Sequence, residues 1–127
     1  MLISFDVDKY DGNTPVVIWG TGLIGGILYQ GLKKRNITVS AFADSFRKEE
    51  YCGTPIIDPK ALAEWYQKEK IIILIGVTAK RKEIEDILND FKIDQYYDAW
   101  DFIEDLAEEN EELRKAVFDE WQTRESY

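Results

Sequence analysis

The sequence predicts a single α/β domain in three layers. A doubly wound, mainly parallel sheet of four to six strands has helices on both faces, with further helices at the C-terminal end of the chain. Three observations carry that expectation. Short apolar runs alternate with stretches of helical periodicity through residues 14–97, and strands that alternate with helices pair in parallel because each return crossing needs a helix. The run at residues 71–75 is solidly apolar, as a strand covered on both faces must be. Finally, 127 residues with 45% hydrophobic content suffice for one packed core and fall short of a two-domain dehydrogenase.

Residues 1–13 alternate apolar and polar positions from Leu2 to Val7, which suits an edge strand or an arm leading in. Asp11-Gly-Asn-Thr-Pro15 is a turn. Val16–Trp19 makes the first core strand, and a helix follows from about Leu23 to Lys34 with Leu23, Ile27, Leu28 and Leu32 on its buried face. A second strand covers residues 38–43, residues 45–53 are polar and turn-like, and residues 54–57 are extended. Asp58-Pro59 supplies an N-cap and a first-turn proline to a helix lined by Leu62, Trp65 and Tyr66. Gly76 ends the strand at residues 71–75, Thr78 can cap the next helix, and Ile84, Ile87, Leu88 and Phe91 form that helix's apolar stripe. Residues 93–97 suit one more strand, and the pattern is helical from Ala99 to about Gln122 with a break near Asn110. Val16–Trp19 and residues 71–75 belong in the interior of the sheet.

The strand Val16–Trp19 runs into Gly20-x-Gly22-x-x-Gly25, and Asp44 closes the next apolar run nineteen residues after Gly25. In this strand–turn–helix setting the pattern is a dinucleotide-binding fingerprint. Gly20 permits the tight turn, Gly22 lets the backbone approach a pyrophosphate, and Gly25 lets the helix pack close to the sheet. The helix N-terminus offers free N–H groups and the positive end of its dipole to phosphates, so Thr21, Leu23 and Ile24 join the glycines as candidate cofactor-binding residues. Asp44, with Ser45 beside it, sits where a carboxylate accepts ribose hydroxyls and would repel a 2′-phosphate. The competing reading is a βαβ unit whose glycines serve packing alone. A second candidate region, Ile75-Gly76-Val-Thr-Ala-Lys80-Arg81, follows the central strand and should open beside the glycine loop. Gly76 and Arg81 join the candidate site there, with Lys80 or Arg81 meeting a phosphate or sugar; an ordinary solvated helix start accounts for them equally well.

Four segments together carry a resemblance: Val16-Val-Ile-Trp-Gly-Thr-Gly-Leu-Ile-Gly25, Ala41-Phe-Ala-Asp-Ser45, Cys52-Gly-Thr-Pro-Ile-Ile57, and Leu74-Ile-Gly76 followed by Arg81. Across roughly residues 16–97 the chain resembles the Rossmann-like N-terminal domains of bacterial sugar O-acyltransferases of surface polysaccharide synthesis. Similar domains occur in nucleotide-sugar dehydratases and appended to some methyltransferases. The resemblance implies NAD or a nucleotide-sugar lying over Gly20, Gly22 and Gly25, with Asp44 near the ribose. The β-helix repeats that carry acyl transfer are absent, so it does not extend to that activity.

The formal net charge of −9 is unevenly spread. Residues 14–97 hold twelve Lys/Arg and eleven Asp/Glu, whereas residues 101–127 hold ten acids against Arg114, Lys115 and Arg124. No basic face suits counterion release, so no nucleic-acid partner is expected. The longest apolar run is too short to span a bilayer, residues 1–10 lack the apolar segment of a secretory leader, and the single Cys52 suits a reducing compartment. A cytoplasmic location is expected. There is no histidine, which removes the commonest general base and metal ligand. Cys52 has no nearby base in its Glu-Glu-Tyr-Cys-Gly turn. Tyr66-x-x-x-Lys70 matches a reductase pair, but Tyr29-x-x-x-Lys33 matches as well, and both are read as chance. Asp44, Glu49 and Glu50 read as a solvated loop and not a metal site.

The leading functional expectation is therefore a nucleotide-binding module without catalytic residues of its own. The alternatives are a fragment of an NAD-dependent oxidoreductase and a scaffold used only for protein interaction. In the acidic segment, Ile103, Leu106, Leu113, Val117 and Trp121 form an apolar stripe opposite Glu104, Glu108, Glu111, Glu112 and Asp119. That stripe folds back over the sheet, or residues 100–122 bury it against a second copy or a neighbouring domain. Large aromatics near the chain end favour an interface, and a homodimer is expected.

Overall fold

The computed structural model describes residues 2–75, 81–109, 111, 114, 115, 118 and 119. The chain opens with strand β1 (Leu2–Ser4) and a 3-10 turn at Val7–Lys9, then enters β2 (Val16–Trp19), helix α1 (Leu23–Lys34) and β3 (Val39–Ala43). A tight hairpin joins β4 (Glu50–Tyr51) to β5 (Thr54–Ile57), and α2 (Pro59–Lys68) leads to β6 (Ile72–Ile75). Then come α3 (Arg81–Asp90), β7 (Tyr96–Asp98) and α4 (Trp100–Ala107).

The seven strands form one sheet in the order β1-β7-β6-β2-β3-β5-β4, and every pairing is parallel except β4 with β5. β2 and β6 are interior, as their unbroken apolar runs require. From β2 the chain moves outward through β3 and β5, then crosses back to β6 and β7 on the other side. The strand order therefore reverses between β2 and β6. The strand count exceeds the expected four to six because β1 docks as an edge strand and Glu50–Tyr51 pairs in a segment that read as turn.

The pleat sorts the apolar residues onto two faces. Val16, Ile18 and Leu74 pack with α1 and α4, whereas Val17, Trp19, Ile73 and Ile75 pack with α2 and α3. Such alternation follows from the period of two along a strand. In β3 the register slips by one: Val16 pairs with Val39 but Val17 with Ala41. Ser40 is the extra, exposed residue, and the bulge turns Val39 toward α1.

Two helices end alike. Asn36 (φ 61°) and Lys92 (φ 63°) adopt the left-handed conformation, and the next residues, Ile37 and Ile93, donate their N–H groups back to Leu32 (2.9 Å) and Leu88 (2.8 Å). Both isoleucines are buried, completing the apolar contact of a Schellman-type end. This corrects two expectations. Ile93 closes α3 instead of starting a strand at residue 93, and Phe91, assigned to the apolar stripe, lies past the helix end and is 38% exposed. Leu23, expected on the buried face of α1, is likewise exposed because it stands at that helix's first position.

α4 takes the fold-back arrangement. Trp100, Phe102, Ile103 and Ala107 are buried in the same cluster as Ile24, Leu28 and Leu32 of α1. Close approach is possible because Gly31 has no side chain: a Cβ there would lie 2.4 Å from Cδ1 of Leu106. Leu113, Val117, Trp121, the break near Asn110 and the Thr78 cap fall outside the described residues. Among the described residues no helix is long and apolar enough to cross a membrane.

Candidate functional site

The loop between β2 and α1 lies where strand order reverses, at the C-terminal ends of the strands, where open α/β sheets bind ligands. Its three glycines differ in what they do. Gly20 has a φ of 123° and donates its N–H to the Ala43 carbonyl at 3.1 Å, tying the turn to β3. Gly25 is demanded by packing, since a Cβ there would sit 2.1 Å from the Gly20 carbonyl oxygen. Gly22 has nothing within 4 Å of a Cβ position. It is the N-cap of α1 and carries no side-chain cap, so the N–H groups of Leu23, Ile24 and Gly25 have no intrahelical acceptor. The Ile24 side chain is buried in the core and the Leu23 side chain is exposed, so Ile24 offers the site only its backbone.

Asp44 is engaged from several sides. Its Oδ2 accepts the Thr21 hydroxyl at 2.8 Å, and its Oδ1 accepts the N–H groups of Phe46 (2.8 Å) and Arg47 (2.9 Å). Burial pushes this carboxyl up, but the N–H groups of Arg47 and Phe46, the Thr21 hydroxyl and the Arg47 charge outweigh it, leaving the pKa below its ordinary value. Of about four acceptor positions on a carboxylate, three are used. Among the described residues one acceptor position is left over, on a carboxylate expected to accept ribose hydroxyls. Ser45 is half-buried in the turn that Asp44 organises.

Three residues absent from the expected site now join it. Arg47 donates from Nη1 to the Thr21 carbonyl at 3.0 Å and stands 5.2 Å over the Tyr51 ring. The Tyr51 hydroxyl donates to the Gly22 carbonyl at 2.9 Å, and burial raises its pKa, so it stays a donor at neutral pH. Phe46 is 89% exposed beside them. The hairpin that delivers Tyr51 turns at Cys52 (φ 54°) and Gly53 (φ 73°). Cys52-Gly53 marks a turn in the sequence, but the two-residue arm before it, Glu50–Tyr51, carries too little pattern to announce a hairpin.

Arg81 opens α3 at the same end of the sheet, but its guanidinium pairs with Asp98 at 3.9 Å. Asp98 also accepts the Trp100 N–H at 3.0 Å, so Arg81 is tied to the end of β7. Gly76 and Lys80 lie outside the described residues. The Tyr66 hydroxyl is bonded to Asp94 beside a shallow depression of about 310 Å³ lined by Lys70, Gln95 and Tyr97. That depression lies at the opposite, N-terminal end of β6 and contains no candidate residue. No protein-family model matches the chain, and no curated protein is significantly similar to it.

Proposed function

We propose that this chain is a nucleotide-binding module that takes NAD or a nucleotide-sugar over the β2–α1 loop, in cytoplasmic sugar-nucleotide or surface-polysaccharide metabolism, without catalytic residues of its own. The observation that carries the reading is the contrast between Gly25 and Gly22. The protein's own backbone forbids a side chain at Gly25, but nothing in the protein fills the space at Gly22. A bare backbone facing open space at the N-terminus of a twelve-residue helix suits a pyrophosphate, which needs close approach and free N–H groups. The remaining acceptor on Asp44 suits one ribose hydroxyl, and the exposed Phe46 ring suits a stacked base. A homodimer formed through the part of residues 100–122 beyond α4 is a separate element of the proposal, favoured by Phe118, which is 55% exposed.

Calorimetry with NAD, NADP, UDP-sugars and coenzyme A tests the reading. NAD or a UDP-sugar should bind, and Gly22→Val should weaken binding at least about tenfold, a loss of roughly 1.4 kcal/mol. The same variant should fold, because the loss of a good N-cap residue costs only about 1 kcal/mol. Failure of all four ligands to bind would leave the scaffold reading. Binding unchanged in Gly22→Val would move the site away from this loop.

A further inference from the structure

The carbonyls of Thr21 and Gly22 are each met by a side chain from the strap between β3 and β5. In a trans peptide the C=O and N–H point in opposite directions. The Thr21 carbonyl shares its peptide with the Gly22 N–H, and the Gly22 carbonyl shares its peptide with the Leu23 N–H. A donor fixed on each carbonyl therefore fixes the direction of the N–H on the far side. We propose that Arg47 and Tyr51 are positioning residues that aim the Gly22 and Leu23 N–H groups at the phosphates of the ligand, an inference that rests on the nucleotide reading above.

Three observations support the assignment. First, the peptides concerned flank Gly22, where the backbone is least restrained by its own side chains, so an external hold has the most to contribute. Second, the hold is itself built. Tyr51 and Phe42 pack T-shaped with ring centroids 5.1 Å apart, and the Arg47 guanidinium lies over the Tyr51 ring. Third, Gly26, which the glycine fingerprint does not require, leaves room for the phenol: a Cβ at Gly26 would lie 2.8 Å from the Tyr51 hydroxyl oxygen. The Gly26 N–H also reaches the Gly22 carbonyl at 3.1 Å, so Tyr51 adds a second donor to an oxygen already in the helix ladder. A donor on the carbonyl polarises the peptide and strengthens its N–H as a donor, by about 10–30% per bond in hydrogen-bonded chains.

The experiment compares wild type, Tyr51→Phe, Arg47→Lys and Arg47→Ala. It measures UDP and NAD affinity by calorimetry at about 0.05 M and 0.5 M salt, and the amide ¹⁵N shifts of Gly22 and Leu23 without ligand. Tyr51→Phe changes no charge and should weaken binding roughly 3–10-fold, the worth of one hydrogen bond, while shifting the Leu23 amide. Arg47→Lys should retain most of the affinity, and Arg47→Ala should lose a similar factor at both salt concentrations. If wild type binds and Tyr51→Phe binds equally well, the inference is overturned and the site reading stands. A loss in Arg47→Ala that vanishes at high salt makes Arg47 a direct phosphate contact and overturns its positioning role. If wild type binds neither ligand, the site reading fails and the inference falls with it.

Discussion

Asp44 brings the glycine loop and the strap together through one carboxylate, and its charge state is therefore a handle on both. Its pKa is lowered in the folded protein. The group contributes stability above its unfolded pKa of about 3.9, and that contribution is lost as pH falls through the lower folded value. Thr21→Val removes the hydroxyl bond at 2.8 Å and keeps the shape. The Asp44 carboxyl, followed by ¹³C NMR titration, should then titrate closer to its ordinary value, and acid unfolding should begin at higher pH. An unchanged Asp44 titration would show that the hydroxyl bond contributes nothing. Asp11 obeys the same sign. Bonds from the Thr14 hydroxyl and the Thr14 and Asn13 N–H groups hold it at about 2, ordering the turn before β2. At this scale the sequence was legible where glycine and acid spacing mirrors backbone geometry, as at Gly20, Gly25 and Asp44. Arg47 and Tyr51 were not legible, because their acceptors are carbonyls of a loop more than twenty residues away in the chain. No local pattern announces a backbone acceptor.

Among the elements, α1 and α4 meet through a glycine. Alanine is favoured over glycine inside a helix by up to about 1 kcal/mol, so Gly31→Ala would stabilise an isolated α1. In the folded protein its methyl would press on Leu106, an overpacking penalty of about 1–3 kcal/mol. Gly31→Ala should therefore be net destabilising by about 1 kcal/mol in urea unfolding. Combined with Leu106→Ala, it should cost less than the sum of the two single changes. Strict additivity would mean that Leu106 swings aside freely. Helix starts and bodies were readable from Asp58-Pro59 and from the apolar spacing of Leu28 and Leu32. Helix ends were harder, since Asn36 and Lys92 are ordinary residues in a left-handed role that glycine more often fills. The bulge at Ser40 left no mark in composition either.

The whole molecule carries −9, with ten acids in residues 101–127. Two copies meeting through the segment beyond α4 bring like charges together, so the proposed dimer should tighten as salt screens them over a Debye length of about 10 Å at 0.1 M. Light scattering should show a dimer fraction that rises with ionic strength in the full chain and disappears in a chain ending at Glu109, which keeps α4. A monomer under all conditions rejects the interface. The three-layer class, the parallel sheet and the placement of β2 and β6 could be read from apolar runs, because burial on both faces leaves no other composition. The hairpin strand β4 could not, since two residues carry too little pattern.

The pairing of β1 with β7 has a temporal consequence. Leu2 lies beside Tyr96 and Ser4 beside Asp98, so the outermost seam joins residues 94 positions apart in the chain. On a ribosome, where synthesis proceeds from the N-terminus, β1 emerges without its neighbour and waits while β2 to β6 are translated. Closing so long a loop is entropically slow. The seam is therefore a late event in the life of each nascent chain, and until it forms β7 is an open margin available to chaperones.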